Sequence, residues 1–129
     1  MKRHLLLLAA VLFAGCVSQG GQAEIYATAT PPTPQLRAMI VDQARDYLID
    51  PYSVRDAEIS GVNDLGDGVT SVCVRFNAKN RMGGYTGRQA TAVRLVNGRI
   101  VNAYPDQAAC YNGNIQWYPL PEARKLRDL

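Results

Sequence analysis

Histidine is almost missing from this chain of 129 residues, with its one copy at His4. From residue 5 onward no imidazole is available. This excludes catalytic triads and dyads that use histidine as the base, and zinc sites built on histidine. Cysteine is scarce as well, at Cys16, Cys73 and Cys110. Two cysteines left for a folded domain do not make a closed zinc site. Lysine occurs only at Lys2, Lys79 and Lys125, which leaves little material for a Ser–Lys dyad. No apolar run reaches the roughly 20 residues that a bilayer-spanning helix needs. Charge of one sign is also lacking. Removing Lys2 and Arg3 with the leader described below takes 14 basic residues to 12 against 11 acidic ones, a net charge of +1. Such balance gives no push toward nucleic acid, whose binders carry a basic stripe or patch. With 47% hydrophobic and 19% charged residues, the chain has material for one core.

The amino terminus carries the clearest signal. Met1-Lys2-Arg3-His4 is a short positive segment, followed by LLLLAAVLFAG over residues 5–15. The apolar run is too short to span a membrane and has the form of a signal-peptide h-region. It ends in Phe13-Ala14-Gly15-Cys16. This ending resembles the lipobox of bacterial lipoproteins, in which small residues precede a cysteine that is lipidated and becomes the new first residue. Phe13 stands where leucine is usual. The resemblance implies a signal peptide over 1–15, lipidation of Cys16 with palmitate-type chains, and a membrane partner reached through that anchor. Several acyl chains anchor stably where one does not, at about 0.8 kcal/mol per buried methylene. Val17-Ser18 after the cysteine, with no aspartate, points by the same resemblance to the periplasmic face of the outer membrane. The alternative is an ordinary secreted protein cut near Gly21-Gln22-Ala23.

Residues 17–34 (VSQGGQAEIYATATPPTP) carry one charge and little to bury. Residues 16–33 therefore read as a lipidated flexible linker, spanning roughly 20–25 Å as a coil. Residues 34–129 read as one periplasmic domain. An exported chain meets an oxidising compartment, so Cys73 and Cys110 are expected to pair. The closed loop of about 38 residues would stabilise by roughly 4 kcal/mol on the chain-entropy model.

Thr33-Pro34 is a helix start, and Leu36, Met39, Ile40, Gln43, Ala44, Tyr47 and Leu48 recur at helical spacing. Pro51 stops the pattern, so the spacing predicts a helix over 34–49. Strands are expected over 57–62, 69–76, 88–96 and 99–104, with Asn97-Gly98 as a type I′ hairpin turn. Val72, Val74 and Phe76 fall on one face of the second of these, with Ser71, Cys73 and Arg75 on the other. Residues 63–68 read as a turn, 108–111 as a short edge strand, 115–118 as a last strand and 122–129 as a short helix. The expected fold class is α+β: one N-terminal helix packed on an antiparallel meander of four to five strands, in a single domain.

One stretch exceeds what a hairpin needs. Residues 77–88 read NAKNRMGGYTGR. Eleven residues separate two strands that two could join. Two readings stand. The first is a structural Ω-like loop packed by Met82 and Tyr85, with Gly83, Gly84 and Gly87 supplying positive φ. The second is a binding loop in which Lys79, Arg81 and Arg88 hold an anion and Tyr85 stacks on a ring. No Walker A pattern is present. The GxxG of Gly84–Gly87 lies between strands and not between the helices that flank it in KH domains. Residues 63–74 fail the calcium-loop pattern. Asp50-Pro51-Tyr52-Ser53, Val72-Cys73, Asn77-Ala78-Lys79-Asn80 and Gly83-Gly84-Tyr85-Thr86-Gly87 together resemble a family of small proteobacterial envelope proteins. That resemblance spans roughly residues 36–95 and implies no activity and no catalytic residue.

These readings combine into an outer-membrane lipoprotein with a non-catalytic binding or structural domain. Its expected partner is another envelope protein, with no cofactor, metal or nucleic acid. The alternatives are an inhibitor of a lytic enzyme or protease, and a small hydrolase working without histidine.

Overall fold

Thr33 starts the main helix as its sequence requires. In the computed structural model, which describes residues 20–128, the Thr33 hydroxyl accepts the Leu36 N–H at 3.2 Å. Pro34 occupies the first turn of this helix, α2 (Pro34–Tyr47). The preceding α1 (Gly20–Ala27) is a shorter helix. α2 stops two residues before the expected end, with Leu48 already extended ahead of Pro51. Its buried face is Ile40, Val41 and Ala44, while Tyr47 is half exposed. The apolar stripe is thus turned toward Val41.

Six strands follow among the described residues: β1 (Arg55–Ser60), β2 (Asn63–Gly66), β3 (Val69–Asn77), β4 (Gln89–Val96), β5 (Arg99–Pro105) and β6 (Trp117–Pro119). All pairings are antiparallel, in the order β5-β4-β3-β1-β6, with β2 also on β3. The α+β class and the single compact domain stand, and the simple meander does not. β6 crosses back to pair with β1, and β1 and β2 share one partner. β2 takes the 69–71 half of β3, and β1 takes the 74–77 half. Residues 63–68, expected as a turn, therefore include a strand, with the turn confined to Asp67-Gly68.

The break between β1 and β2 has a side-chain solution. At Gly61-Val62 the chain leaves β3, which orphans the Cys73 N–H. The Ser60 hydroxyl accepts that N–H at 2.8 Å and donates to the Gly61 carbonyl at 2.8 Å. Val62 instead pairs with Thr30 through two backbone hydrogen bonds, at 2.7 and 3.0 Å. This corrects the flexible linker over 16–33 for its described part. α1 and Thr30 lie against the domain, and Tyr26 donates its hydroxyl to the Ala109 carbonyl at 2.8 Å. Two features that composition alone cannot weigh hold the segment: an open strand edge at Val62 and a tyrosine with a polar tip. The leader over 1–15 and the lipidation expected at Cys16 lie outside the described residues.

One face of the sheet packs on α2. Ile59, Val72, Val74, Val93 and Leu95 meet Ile40, Val41 and Ala44, and Leu120, Ala123 and Leu126 close the end. The last two belong to a 3-10 turn over Pro121–Leu126, where a helix over 122–129 was expected. The opposite face carries Cys73, Ala90 and Cys110, flanked by Ala92, Ile115 and Trp117. Cys73 and Cys110 are joined, with their Cα atoms 5.6 Å apart. That bond explains why residues 108–111 form a 3-10 turn and not an edge strand. Cys73 sits on the central strand, so its partner must lie over the sheet face and cannot lie at the edge.

Candidate functional site

The long connection between β3 and β4 is a hairpin folded back on the turn after α2. Lys79 and Tyr85 form an isolated antiparallel bridge. Between them, Asn80 organises the tip. Its side-chain oxygen accepts the Met82 N–H at 2.9 Å and the Gly84 N–H at 3.2 Å. Its own N–H donates to the Gly84 carbonyl and its carbonyl accepts the Gly83 N–H, both at 3.0 Å. Asparagine suits this place because its short amide closes turns onto the backbone. Gly83 has φ +77 and Gly87 φ +95, whereas Gly84 is not at positive φ. The expectation for the three glycines therefore holds at two of them.

The base of the hairpin is held by the Asp50–Ser53 turn. Tyr85 donates its hydroxyl to the Ser53 carbonyl at 2.7 Å, and the Lys79 N–H donates to the Ser53 hydroxyl at 2.8 Å. That hydroxyl donates in turn to the Asp50 carbonyl at 2.7 Å. The Arg55 guanidinium lies 3.6 Å from the centre of the Tyr85 ring, and the Lys79 ammonium 5.8 Å. Two stretches far apart in sequence, DPYS and NAKNRMGGYTG, thus form one structural unit. The expected packing of Tyr85 is present and that of Met82 is not: Met82 is 94% exposed at the tip. The four candidate binding residues divide. Tyr85 serves the hairpin's own base, and Arg88 turns to the sheet. Lys79 and Arg81 are exposed, and Arg81 enters no ion pair among the described residues.

Arg88 leads to a second cluster. Its Nη1 donates to Glu58 Oε2, the same oxygen that accepts Arg75 Nε at 2.7 Å. The Arg75 guanidinium also lies 4.0 Å from the centre of the Trp117 ring. A bulge in β1 makes this possible. Arg55 pairs with Asn77 and Glu58 with Arg75, so β1 spends one extra residue, and Asp56 takes φ +55. Strict alternation puts residues three apart on opposite faces. The extra residue brings Arg55 and Glu58 to the same face, one under Tyr85 and the other between two arginines. Sequence reasoning missed Glu58, Arg75 and Trp117 as a group. The available signal was a charge at Arg75 on a central strand, on the same face as Cys73.

Beside this cluster is a recess of about 460 Å³, between the sheet and the segment that the disulfide holds over it. Among the described residues no group of three or more His, Cys, Asp and Glu side chains is placed to hold a metal ion. No described helix is long and apolar enough to cross a membrane. Compared with protein-family models, curated proteins and solved structures, the chain matches none of them.

Proposed function

We propose that this chain is an outer-membrane-anchored lipoprotein whose periplasmic domain is a non-catalytic binding module for another envelope protein. The leader ending in Ala14-Gly15-Cys16 supports the anchor. One observation carries the binding role: a pre-ordered hairpin that exposes Arg81 and Met82 at its tip. Its ordering entropy is already spent in the Asn80 turn and the Tyr85–Ser53 contact. A loop held in its bound shape before contact loses less on association. A nearly fully exposed methionine contributes nothing to this domain's own core and offers an adaptable apolar contact to another surface. The same tip favours a narrower second reading, an inhibitor that inserts the loop into the cleft of a lytic enzyme or protease.

Three experiments test this proposal and its narrower reading. Cys16→Ser is expected to move the protein out of the membrane fraction, and unchanged fractionation and acyl labelling would refute the anchor. A photo-crosslinking residue at position 82 is expected to trap a discrete envelope protein in cells. The same residue at Gln35, exposed on α2, is the control. Equal trapping from both positions would remove the tip as the binding element. Inhibition of lysozymes by the purified domain, lost when the tip is changed, separates inhibitor from scaffold.

A further inference from the structure

From the Arg75–Arg88 cluster we infer a second binding site: the recess beside it takes a small monoanionic carboxylate with a partly apolar body. This goes beyond the hairpin reading and does not depend on it.

The charge count comes first. Two guanidiniums share one carboxylate oxygen, Glu58 Oε2, which leaves one positive charge in excess. No aspartate or glutamate lines the recess. Asp106 accepts the hydroxyl of Tyr111, a lining residue, at 2.8 Å and fixes that ring. Each guanidinium carries five N–H donors and gives one to Glu58, so most of each fork stays open to an acceptor. The cluster is half-buried, with side-chain exposures of 28% for Arg75, 43% for Arg88 and 27% for Glu58. Partial burial weakens solvent screening of the excess charge.

The site is also built in advance. Arg75 is held from two directions, by Glu58 through its Nε and by the Trp117 ring on its face. A guanidinium so held loses little freedom when it takes a ligand. The space exists because small residues line it. Ala90 is the ladder partner of Arg75, and Gly113 lies in the facing segment. Cys110 carries that segment across the sheet, so the disulfide holds the recess open. Tyr111, Ile115 and Trp117 supply the apolar part of its walls, beside the polar Arg75, Arg88 and Asn112. The volume falls in the range of small-ligand sites, roughly 300–1,000 Å³.

A carboxylate fits better than a phosphate. One excess charge matches a monoanion, whereas a dianion would leave the recess negative. The planar fork of arginine matches a planar carboxylate. The apolar walls need a body to cover, which neither acetate nor inorganic phosphate has.

Trp117 is the chain's single tryptophan, so its fluorescence reports this recess alone. The experiment titrates the protein at fixed ionic strength with N-acetyl-leucine, its amide, acetate and inorganic phosphate. N-acetyl-leucine is expected to give a saturable change with Kd on the order of 1 mM. The amide is expected to give none, and acetate and phosphate to bind at least about ten-fold more weakly. Arg88→Gln is expected to weaken N-acetyl-leucine roughly ten-fold. Arg88→Lys, which keeps the charge beside Glu58 and removes the fork, is the second variant if the first does not fold, and it is also expected to bind more weakly. Equal binding of acid and amide, phosphate binding as tight as the acid, or unchanged affinity in the folded Arg88 variants would each overturn the site. A tripeptide ending in leucine distinguishes two sources of the same chemistry. Tighter binding than N-acetyl-leucine marks a peptide C terminus, and equal binding a free acid, and either result supports the site.

Discussion

Gly83 and Gly84 are neighbours with the same side chain and different backbones, which makes them a test of why glycine stands in this hairpin. At Gly83 the backbone has φ +77, and an added Cβ meets nothing within 4 Å. The cost of alanine there is conformational alone. The left-handed region costs an L-residue roughly 1–2 kcal/mol. Removing glycine's freedom from the unfolded chain returns about 0.4–1 kcal/mol. Gly83→Ala is thus expected to destabilise by up to about 1.6 kcal/mol. Gly84 is not at positive φ, and its added Cβ would sit 3.9 Å from the Asn80 side-chain oxygen, an ordinary contact. Gly84→Ala keeps only the unfolded-state gain and is expected to be neutral or stabilising by up to about 1 kcal/mol. The two variants should differ by roughly 1–2 kcal/mol. At about 4–8 °C per kcal/mol for a domain near 100 residues, the gap in Tm is several degrees. Thermal and urea unfolding of both proteins, followed by circular dichroism, measure it. Equal melting temperatures, or Gly84→Ala as the less stable variant, would refute the account of the hairpin in which Gly83 carries the turn.

Tyr85→Phe removes the hydroxyl that donates to the Ser53 carbonyl and keeps the ring under Arg55, so a loss of about 1 kcal/mol is expected. Faster hydrogen exchange at the Lys79 amide should accompany it, and an unchanged exchange rate would place the lock elsewhere. Replacing Cys73 and Cys110 together by alanine opens a loop whose ends are 37 residues apart, and urea unfolding is expected to show a loss of roughly 4 kcal/mol. A loss below about 1 kcal/mol would mean that the unfolded chain is already compact there. Leu126 is 1% exposed in the C-terminal turn, and Leu126→Ala is expected to cost about 2–5 kcal/mol. A near-neutral result in urea unfolding would show that this turn packs on the core only loosely.

Local chemistry determined what the sequence makes legible. Thr33-Pro34 and the spacing of Ile40 and Ala44 place α2, because a cap and an apolar stripe act within a few turns of chain. Asn97-Gly98 places the β4–β5 turn, both residues at positive φ, because few other pairs tolerate it. Alternation along β3 separates Val72 and Val74 from Cys73 and Arg75, since a strand has no other period. With two cysteines in the domain, pairing Cys73 with Cys110 needs only an oxidising compartment.

The rest was decided by contacts between distant segments. β6 returns to β1, and Thr30 pairs with Val62, because open strand edges take whatever segment the whole fold brings to them. β2 hides in a run of turn-forming residues, because its pairing with β3 outweighs weak local propensity. The Asn80 hairpin is local, yet its lock on Ser53 joins positions 32 apart in sequence. Glu58, Arg75 and Arg88 meet only because a bulge at Asp56 and the β1–β3 register set Glu58 beside Arg75, and the long connection delivers Arg88 to them just before β4 begins. A pattern read along the chain gives each residue a face within its own strand. Only the tertiary structure decides which strands lie side by side, and so which charges share an oxygen.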